Sequence, residues 1–330
     1  MSNKIAWIKN WLAVMRAPTL LTVLAPVMAG FLAGGGGLFT LRGLGFLAFA
    51  WAMHHFTFAH NTLLDVAYDA EKGPECHPLT SGAMPLATAR TAVYGGLLLS
   101  ATLGTVLALT GGGNPGASLA ALLFFTTAGF AYNECSKVAP HAWALLALSF
   151  ASLAPFAYFA VAPAADPLVI LLAGYFFLTF WFGTWWEGNM KDIEFRGANA
   201  LRDMGVHVKN KKLVIQKNHA LCARAVKLAA VTLAAAGLAA QDNAFVAFFA
   251  GILVAVMVYF SWGLTRERTW DRERVVTEIG CEEVASLLLP IAVVAGWVEV
   301  LVLVVFGAAY TMGTAALTGG RMPEGTSRGF

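Results

Sequence analysis

The sequence PLVILLAGYFFLTFWFGTWWE, residues 167–187, contains no charged residue before Glu187. A helix of about 20 apolar residues is long enough to cross the hydrocarbon core of a bilayer. The rest of the chain has the same character: of its 330 residues, 58% are hydrophobic and 12% are charged. Soluble domains have about 25% charged residues. The composition therefore excludes an ordinary soluble domain and predicts an all-α integral membrane bundle.

Nine apolar stretches approach the length of a membrane span. Glycine runs at residues 34–37 and 111–113 read as short turns between neighbouring spans. We therefore expect one transmembrane domain over residues 1–330, with pseudo-repeat halves of roughly 1–140 and 141–330. The predicted spans are 18–38, 42–62, 90–110, 117–135, 141–162, 167–187, 221–240, 243–264 and 285–312.

The basic residues predict the orientation of the chain. In the nine-span arrangement, all lysines and arginines except Arg42, Arg321 and Arg328 fall in segments on one side. Loops retained in the cytoplasm carry an excess of lysine and arginine. We therefore expect a cytoplasmic N-terminus and an external C-terminus.

A row of polar residues ends the second predicted span. The sequence HNTLLDVAYDAEKG, residues 60–73, places Asn61, Asp65 and Asp69 four residues apart. Residues at this spacing lie on one face of a helix. Mg²⁺ prefers oxygen ligands and often bridges one or two carboxylates to phosphate groups. The row therefore predicts a site for a metal-bound diphosphate.

A second polar cluster follows the sixth predicted span, with Glu187, Asp192 and Glu194 as further candidate metal ligands. Four helices separate the ends of spans two and six, so both clusters are expected at the cytoplasmic face. An ion pair with Lys191, four residues along the helix, is the alternative role of Glu187. The basic residues nearest the clusters, candidates for binding an anionic substrate, are Lys72, Lys137, Lys191 and Arg196.

These motifs resemble the UbiA superfamily of intramembrane prenyltransferases. The resemblance implies a helical bundle in which two aspartate-rich motifs hold Mg²⁺ against an isoprenyl diphosphate. Where the family usually has the second aspartate of the second motif, this chain has Arg196, so Glu187 and Glu194 are candidates to replace that ligand. The resemblance rests on Asn61, Asp65, Asp69, Lys72, the segment 77–82, Tyr132, Lys137, Asn189, Asp192 and Glu194. It implies Asp65, Asp69 and Asp192 as catalytic carboxylates and Lys72, Tyr132, Lys137 and Lys191 as diphosphate contacts.

The expected reaction transfers an isoprenyl group to a small hydrophobic acceptor, for which a quinone-type aromatic ring is the commonest family precedent. Loss of diphosphate leaves an allylic carbocation, and aromatic faces attract cations most strongly away from water. Phe58, Trp181 and Trp185 are the candidates to line that part of the site. Two other functions stay open: a membrane terpene cyclase, and a secondary transporter or lipid-binding protein. No nucleic-acid partner is expected.

Overall fold

The computed structural model describes residues 2–71, 77–136, 138–139, 141–194, 199–239 and 243–318, and these form a helical membrane bundle. The fold class expected from the sequence is therefore confirmed. The helices are α1 (Ser2–Val14), α2 (Leu21–Ala33), α3 (Leu41–Glu71), α4 (Leu86–Thr110), α5 (Pro115–Cys135), α6 (Trp143–Phe159), α7 (Pro167–Trp181), α8 (Gly188–Lys191), α9 (Ala200–Asp203), α10 (Lys217–Leu238), α11 (Ala244–Leu264), α12 (Arg272–Val294) and α13 (Trp297–Thr318). A 3-10 turn at Ala17–Thr19 precedes α2, and a π-helical segment at Phe182–Glu187 joins α7 to α8.

The expected count of nine spans is not confirmed. Within the described residues, six helices are long and apolar enough to cross a membrane. A seventh span results if Lys4–Val14 and Ala17–Ala33 count as one helix bent by 44°. The predicted fifth span corresponds to α6, which has only 17 residues.

The ninth predicted span, 285–312, is wrong because the chain breaks inside it. Helix α12 ends at Val294, Ala295 is extended (φ −102°, ψ 156°), and α13 begins at Trp297. Helix α13 then turns back, so that Thr311 Oγ1 donates to the carbonyl oxygen of Pro18 over 3.3 Å. The described end of α13 therefore lies at the same end of the bundle as Pro18, opposite to where the nine-span arrangement places it.

Local sequence explains where the helices begin. Pro167 occupies the first turn of α7, where its missing N–H costs nothing. The Asp166 side chain accepts hydrogen bonds from the Leu168 and Val169 amides at 2.8 and 3.2 Å. These bonds satisfy two of the backbone donors that a helix leaves without partners. Asn114 and Asn243 cap α5 and α11 in the same way.

Helix α2 is central to the largest buried cluster, which also draws on α3, α6, α7 and α12. At Gly30 the backbones of α2 and α6 approach so closely that an added Cβ would lie 2.1 Å from the Ala154 carbonyl oxygen. Glycine is therefore required at this position. The predicted glycine turns also occur, between α2 and α3 and between α4 and α5.

A small antiparallel sheet caps the end of the bundle where α7 and α11 finish. Strands β1 (His207–Lys209) and β2 (Lys212–Val214) form a hairpin, and β3 (Arg268–Thr269) pairs with β2. The hairpin turns through Asn210 and Lys211, whose positive φ values of 51° and 56° match a type I′ turn. The sheet links the connection before α10 to the connection before α12.

Candidate active site

The two polar clusters lie at the same end of the bundle. Asn61 near the end of α3 donates from Nδ2 to Oδ1 of Asn133, near the end of α5, over 3.1 Å. The next helix begins at Trp143, whose ring centroid is 6.2 Å from that of Trp185, beyond the end of α7. The connection between Asn133 and Trp143 therefore runs from the first cluster to the second.

The first motif lies on an unbroken helix. Helix α3 continues to Glu71, so Asn61, Asp65 and Asp69 follow one another at successive turns of one face. Asp65 is buried, while Asn61 and Asp69 are half-buried. No three Asp, Glu, His or Cys side chains in the described ranges form a group that could hold a metal ion. Two carboxylates and an amide oxygen nevertheless fit Mg²⁺, which usually completes its octahedron with water and phosphate oxygens.

Arg16 approaches this motif from the junction between α1 and the 3-10 turn. Its Nη2 atom is 3.8 Å from Oδ2 of Asp65, and 13% and 7% of the two side chains are exposed. Arg16 has a left-handed backbone (φ 47°, ψ 45°), which is costly for a residue with a Cβ. This bend brings a positive charge to the first motif. The sequence marks Arg16 only as one of the basic residues expected on the cytoplasmic side and gives no sign of this contact.

Helix α1 packs across the end of α3 and fixes that bend. Trp11 and Val14 are buried in a cluster with Ala59 and Leu63 of α3. Thr62 Oγ1 also donates to the Val14 carbonyl oxygen over 3.1 Å. The first helix thus holds Arg16 against the first motif.

His77 lies in the loop between α3 and α4, within the segment on which the family resemblance partly rests. Its side chain is buried. Burial, with a further contribution from the positive charge of Arg16, lowers the pKa of His77 to about 4. Its Nδ1 atom accepts a hydrogen bond from the Leu79 amide over 3.3 Å. His77 is therefore neutral at physiological pH and supports the loop beside Arg16.

The histidines of α3 have hydrogen-bond partners on other elements. His54 is 3.3 Å from the Arg16 carbonyl oxygen through Nε2, and His55 Nε2 is 2.5 Å from the Tyr310 hydroxyl of α13. The Nδ1 atom of His60 accepts from Nδ2 of Asn133 over 2.9 Å. These contacts connect α3 to the N-terminal bend, to α5 and to α13.

Glu187, a candidate metal ligand from the sequence, lies in an interior cluster formed with α10 and α12. It is 1% exposed, and the nearby Glu282 of α12 is also 1% exposed. Lys227 Nζ lies 2.5 Å from Glu282 Oε1 and donates to Ser286 Oγ over 3.2 Å. The cluster therefore places one lysine between buried carboxyl groups from two different elements.

Asp192 and Glu194 follow α8, where Asp192 is half-buried and Glu194 is exposed. Lys191 is half-buried, and its carbonyl oxygen accepts from Arg272 Nε over 3.2 Å. Asn189 has a structural role, because its Oδ1 atom accepts from the Ala200 amide over 2.9 Å. This bond anchors α9 beside the second cluster. Tyr132 is half-buried in the last turn of α5. Lys72, Lys137 and Arg196 lie outside the described residues.

Aromatic side chains pack in the interior near both clusters. Phe58 of α3 has its ring centroid 6.3 Å from that of Phe150 of α6, which stacks on Phe180 of α7 at 4.6 Å. Trp181 stacks on Trp143 at 5.4 Å, and Trp185 is buried beside the same ring. All three predicted lining residues thus belong to an aromatic layer between α3, α6 and α7.

Comparison with known proteins identifies the arrangement. A model of the UbiA prenyltransferase family matches residues 23–277. Two UbiA homologues are similar in structure. The apo form from Aeropyrum pernix K1 is 16% identical with a TM-score of 0.58, over 87% of this chain and 98% of that one. The Archaeoglobus fulgidus protein bound to DMAPP and Mg²⁺ is 17% identical with a TM-score of 0.54, over 86% of this chain and 99% of that one. A digeranylgeranylglyceryl phosphate synthase is also similar, at 17% identity and a TM-score of 0.55, over 88% of this chain and 99% of that one. At these identities the structures establish the shared fold. No curated protein is significantly similar to the chain.

Proposed function

This chain belongs to the UbiA prenyltransferase family, and we propose that it transfers an isoprenyl group from a prenyl diphosphate to a small hydrophobic acceptor inside the membrane. The observation that carries the proposal is the row Asn61, Asp65 and Asp69 on α3, with Arg16 3.8 Å from Asp65. The row offers oxygen ligands for a divalent cation, and Arg16 offers positive charge for an anionic substrate.

The residues that would hold Mg²⁺ are Asn61, Asp65 and Asp69 of the first motif, with Asp192 of the second. Glu194 is the remaining candidate to complete the second motif in place of Arg196. When bound, Mg²⁺ supplies a Lewis acid that neutralises the negative charge on the departing diphosphate. The A. fulgidus homologue, solved with DMAPP and Mg²⁺, supports this choice of metal and substrate class.

In the proposed reaction the allylic C–O bond breaks and its electron pair leaves with the diphosphate. The residues proposed to contact the diphosphate are Arg16, Lys191 and Tyr132, together with the sequence candidates Lys72, Lys137 and Arg196. Phe58, Trp181 and Trp185 exclude water and present aromatic faces to the carbocation. The acceptor, an aromatic ring of quinone type in this proposal, attacks the cation and then loses a proton.

We further propose that the N-terminus and the active site lie at the cytoplasmic face. The support is the bias of lysine and arginine toward the end of the bundle that contains both motifs. A cytoplasmic site would meet water-soluble diphosphate headgroups while the prenyl chain stays in the bilayer.

The test is turnover by the purified chain in liposomes. Geranyl, farnesyl and geranylgeranyl diphosphate are offered with and without hydroxylated aromatic acceptors, and diphosphate release and products are measured. We expect acceptor-dependent, Mg²⁺-dependent transfer that falls about a hundredfold or more in Asp65→Asn. The control Glu273→Gln changes an exposed carboxylate of α12 and should retain activity.

Other outcomes would replace this proposal. A hydrocarbon or cyclic alcohol formed without acceptor would identify a terpene cyclase, for which the aromatic layer and Arg196 are the supporting features. Transmembrane flux of a solute without diphosphate release would identify a transporter. Turnover that is equal in wild type and Asp65→Asn would contradict a role for the first motif.

A further inference from the structure

A chain of hydrogen bonds leads from the interior to Asn61, the first residue of the motif on α3. Asn61 Nδ2 donates to Asn133 Oδ1 over 3.1 Å, and Asn133 Nδ2 lies 2.9 Å from His60 Nδ1. Asn133 is 6% exposed and His60 is 2% exposed, so neither exchanges these partners freely with water. An amide nitrogen only donates, and His60 Nδ1 must therefore be the unprotonated acceptor of its ring.

These hydrogen bonds determine which end of the Asn61 carboxamide is turned toward Asn133. The amide nitrogen of Asn61 is held by Asn133 Oδ1, so its carbonyl oxygen is on the side away from Asn133. If Asn133 alone were flipped, its amide nitrogen would face the amide nitrogen of Asn61, and two donors would oppose each other. The orientations of His60, Asn133 and Asn61 are therefore linked.

We propose that Asn133 is a positioning residue, which holds the Asn61 carboxamide so that its oxygen, and not its nitrogen, is available to the divalent cation. The proposal rests on the proposed function, because it assumes a metal at the first motif. A metal cation binds an amide through its oxygen, and groups that orient such ligands commonly contribute 10- to 100-fold in affinity. His60 acts in turn on Asn133, by accepting the hydrogen bond that fixes its amide.

The experiment measures binding of Mn²⁺, in place of Mg²⁺, to the purified full chain in detergent by electron paramagnetic resonance. Asn133→Leu keeps the approximate volume and removes both hydrogen-bonding ends. We expect about 10- to 100-fold weaker Mn²⁺ binding. In turnover, the Mg²⁺ concentration for half-maximal rate should rise by a similar factor, while kcat at saturating Mg²⁺ changes little.

Two further variants keep the test informative. Asn133→Ser is too short to reach Asn61 and should show the same loss if Asn133→Leu does not fold. Thr126→Val is the matched control. Thr126 lines the same small pocket as His60 and Asn133, and its hydroxyl donates to the carbonyl oxygen of Leu122 in its own helix. This variant should bind Mn²⁺ as wild type does.

A second background separates positioning from a general structural role. A carboxylate has no nitrogen end to turn away, so in the Asn61→Asp background the change Asn133→Leu should alter Mn²⁺ affinity by no more than about a factor of two. Equal losses in both backgrounds, or no loss in the wild-type background, would overturn the proposal. If the wild-type chain binds no Mn²⁺, the proposed function itself fails. This result can be told apart from the two outcomes that overturn only the positioning role, because in those the wild-type chain binds Mn²⁺.

Discussion

At the scale of single residues, two polar side chains from other elements contact the first motif: Arg16 lies 3.8 Å from Asp65, and Asn133 accepts a hydrogen bond from Asn61. The row Asn61, Asp65 and Asp69 could be predicted because helical periodicity places residues four apart on one face. The contacts of Arg16 and Asn133 could not be predicted, since each joins residues more than 40 positions apart. One signal was present: a polar side chain within an apolar helix, such as Asn133, is costly unless it has a partner.

We predict that Arg16→Gln raises the KM for prenyl diphosphate by about 10- to 100-fold, as expected for the loss of a hydrogen bond to a charged group, with a small change in kcat. The physical reason is the loss of the positive charge beside Asp65. Arg16→Lys keeps that charge and should have an intermediate KM. Steady-state kinetics measure both, and an unchanged KM in Arg16→Gln would remove Arg16 from the substrate site.

The buried His77 predicts a pH dependence of stability. Its pKa in the folded chain is about 4, below the value of about 6.5 expected for the unfolded chain. The unfolded state therefore binds more protons between these values, and stability is lost as the pH falls from about 6.5 to about 4. The difference between the two pKa values corresponds to a loss of about 3 kcal/mol in the free energy of unfolding.

The measurement is thermal unfolding in detergent across this pH range. We expect His77→Gln to flatten the dependence and the exposed control His207→Gln to keep it. The same slope in wild type and His77→Gln would show that other groups cause it.

At the scale of elements, apolar length and glycine runs predicted most helices and two of their turns. The break between α12 and α13 was missed, because Ala295 and Gly296 are small residues without a charge or proline to mark it. The strands were missed because each has two or three residues, too short for an alternating pattern. The bend at Arg16 was missed because it depends on packing of α1 against α3.

The interior cluster of Lys227, Glu282 and Glu187 joins α10, α12 and the π-helical segment. Lys227 and Glu282 are 4% and 1% exposed. Removing one partner of a buried ion pair leaves an uncompensated charge and costs about 3–5 kcal/mol. We predict this loss of unfolding free energy for Lys227→Met. In the double variant Lys227→Met and Glu282→Leu most of the loss should be recovered.

Denaturation in mixed micelles measures the free energy of unfolding of the wild type and of these variants. Lys217→Met is the control because Lys217 is exposed at the start of α10. If Lys227→Met is as stable as wild type, the pair does not stabilise the helices. If the double variant is no more stable than the single one, the two charges are not coupled.

At the scale of the whole molecule, composition predicts the fold class. The direction of the last helix depends on the turn between α12 and α13. Because α13 runs back to Pro18, the C-terminal end of this helix is on the side of the N-terminal bend. The pseudo-repeat of residues 1–140 and 141–330 stays a prediction. The largest buried cluster draws on helices from both halves, so the two halves share a core.

Because α13 runs back toward Pro18, we expect the C-terminus on the same side of the membrane as the N-terminus. Tags placed before Met1 and after Phe330 should be accessible from the same side of sealed vesicles. Protease protection of each tag, before and after the vesicles are opened, measures this. Tags accessible from opposite sides would contradict the described path of α13.

We expect the first motif to bind a prenyl diphosphate through Mg²⁺. Calorimetric titration of the purified chain with farnesyl thiodiphosphate, a poorly reactive analogue, measures this binding. We expect binding with Mg²⁺ that is lost with a chelator and weakened about a hundredfold or more in Asp65→Asn. Equal binding without Mg²⁺, or equal binding by wild type and Asp65→Asn, would contradict it.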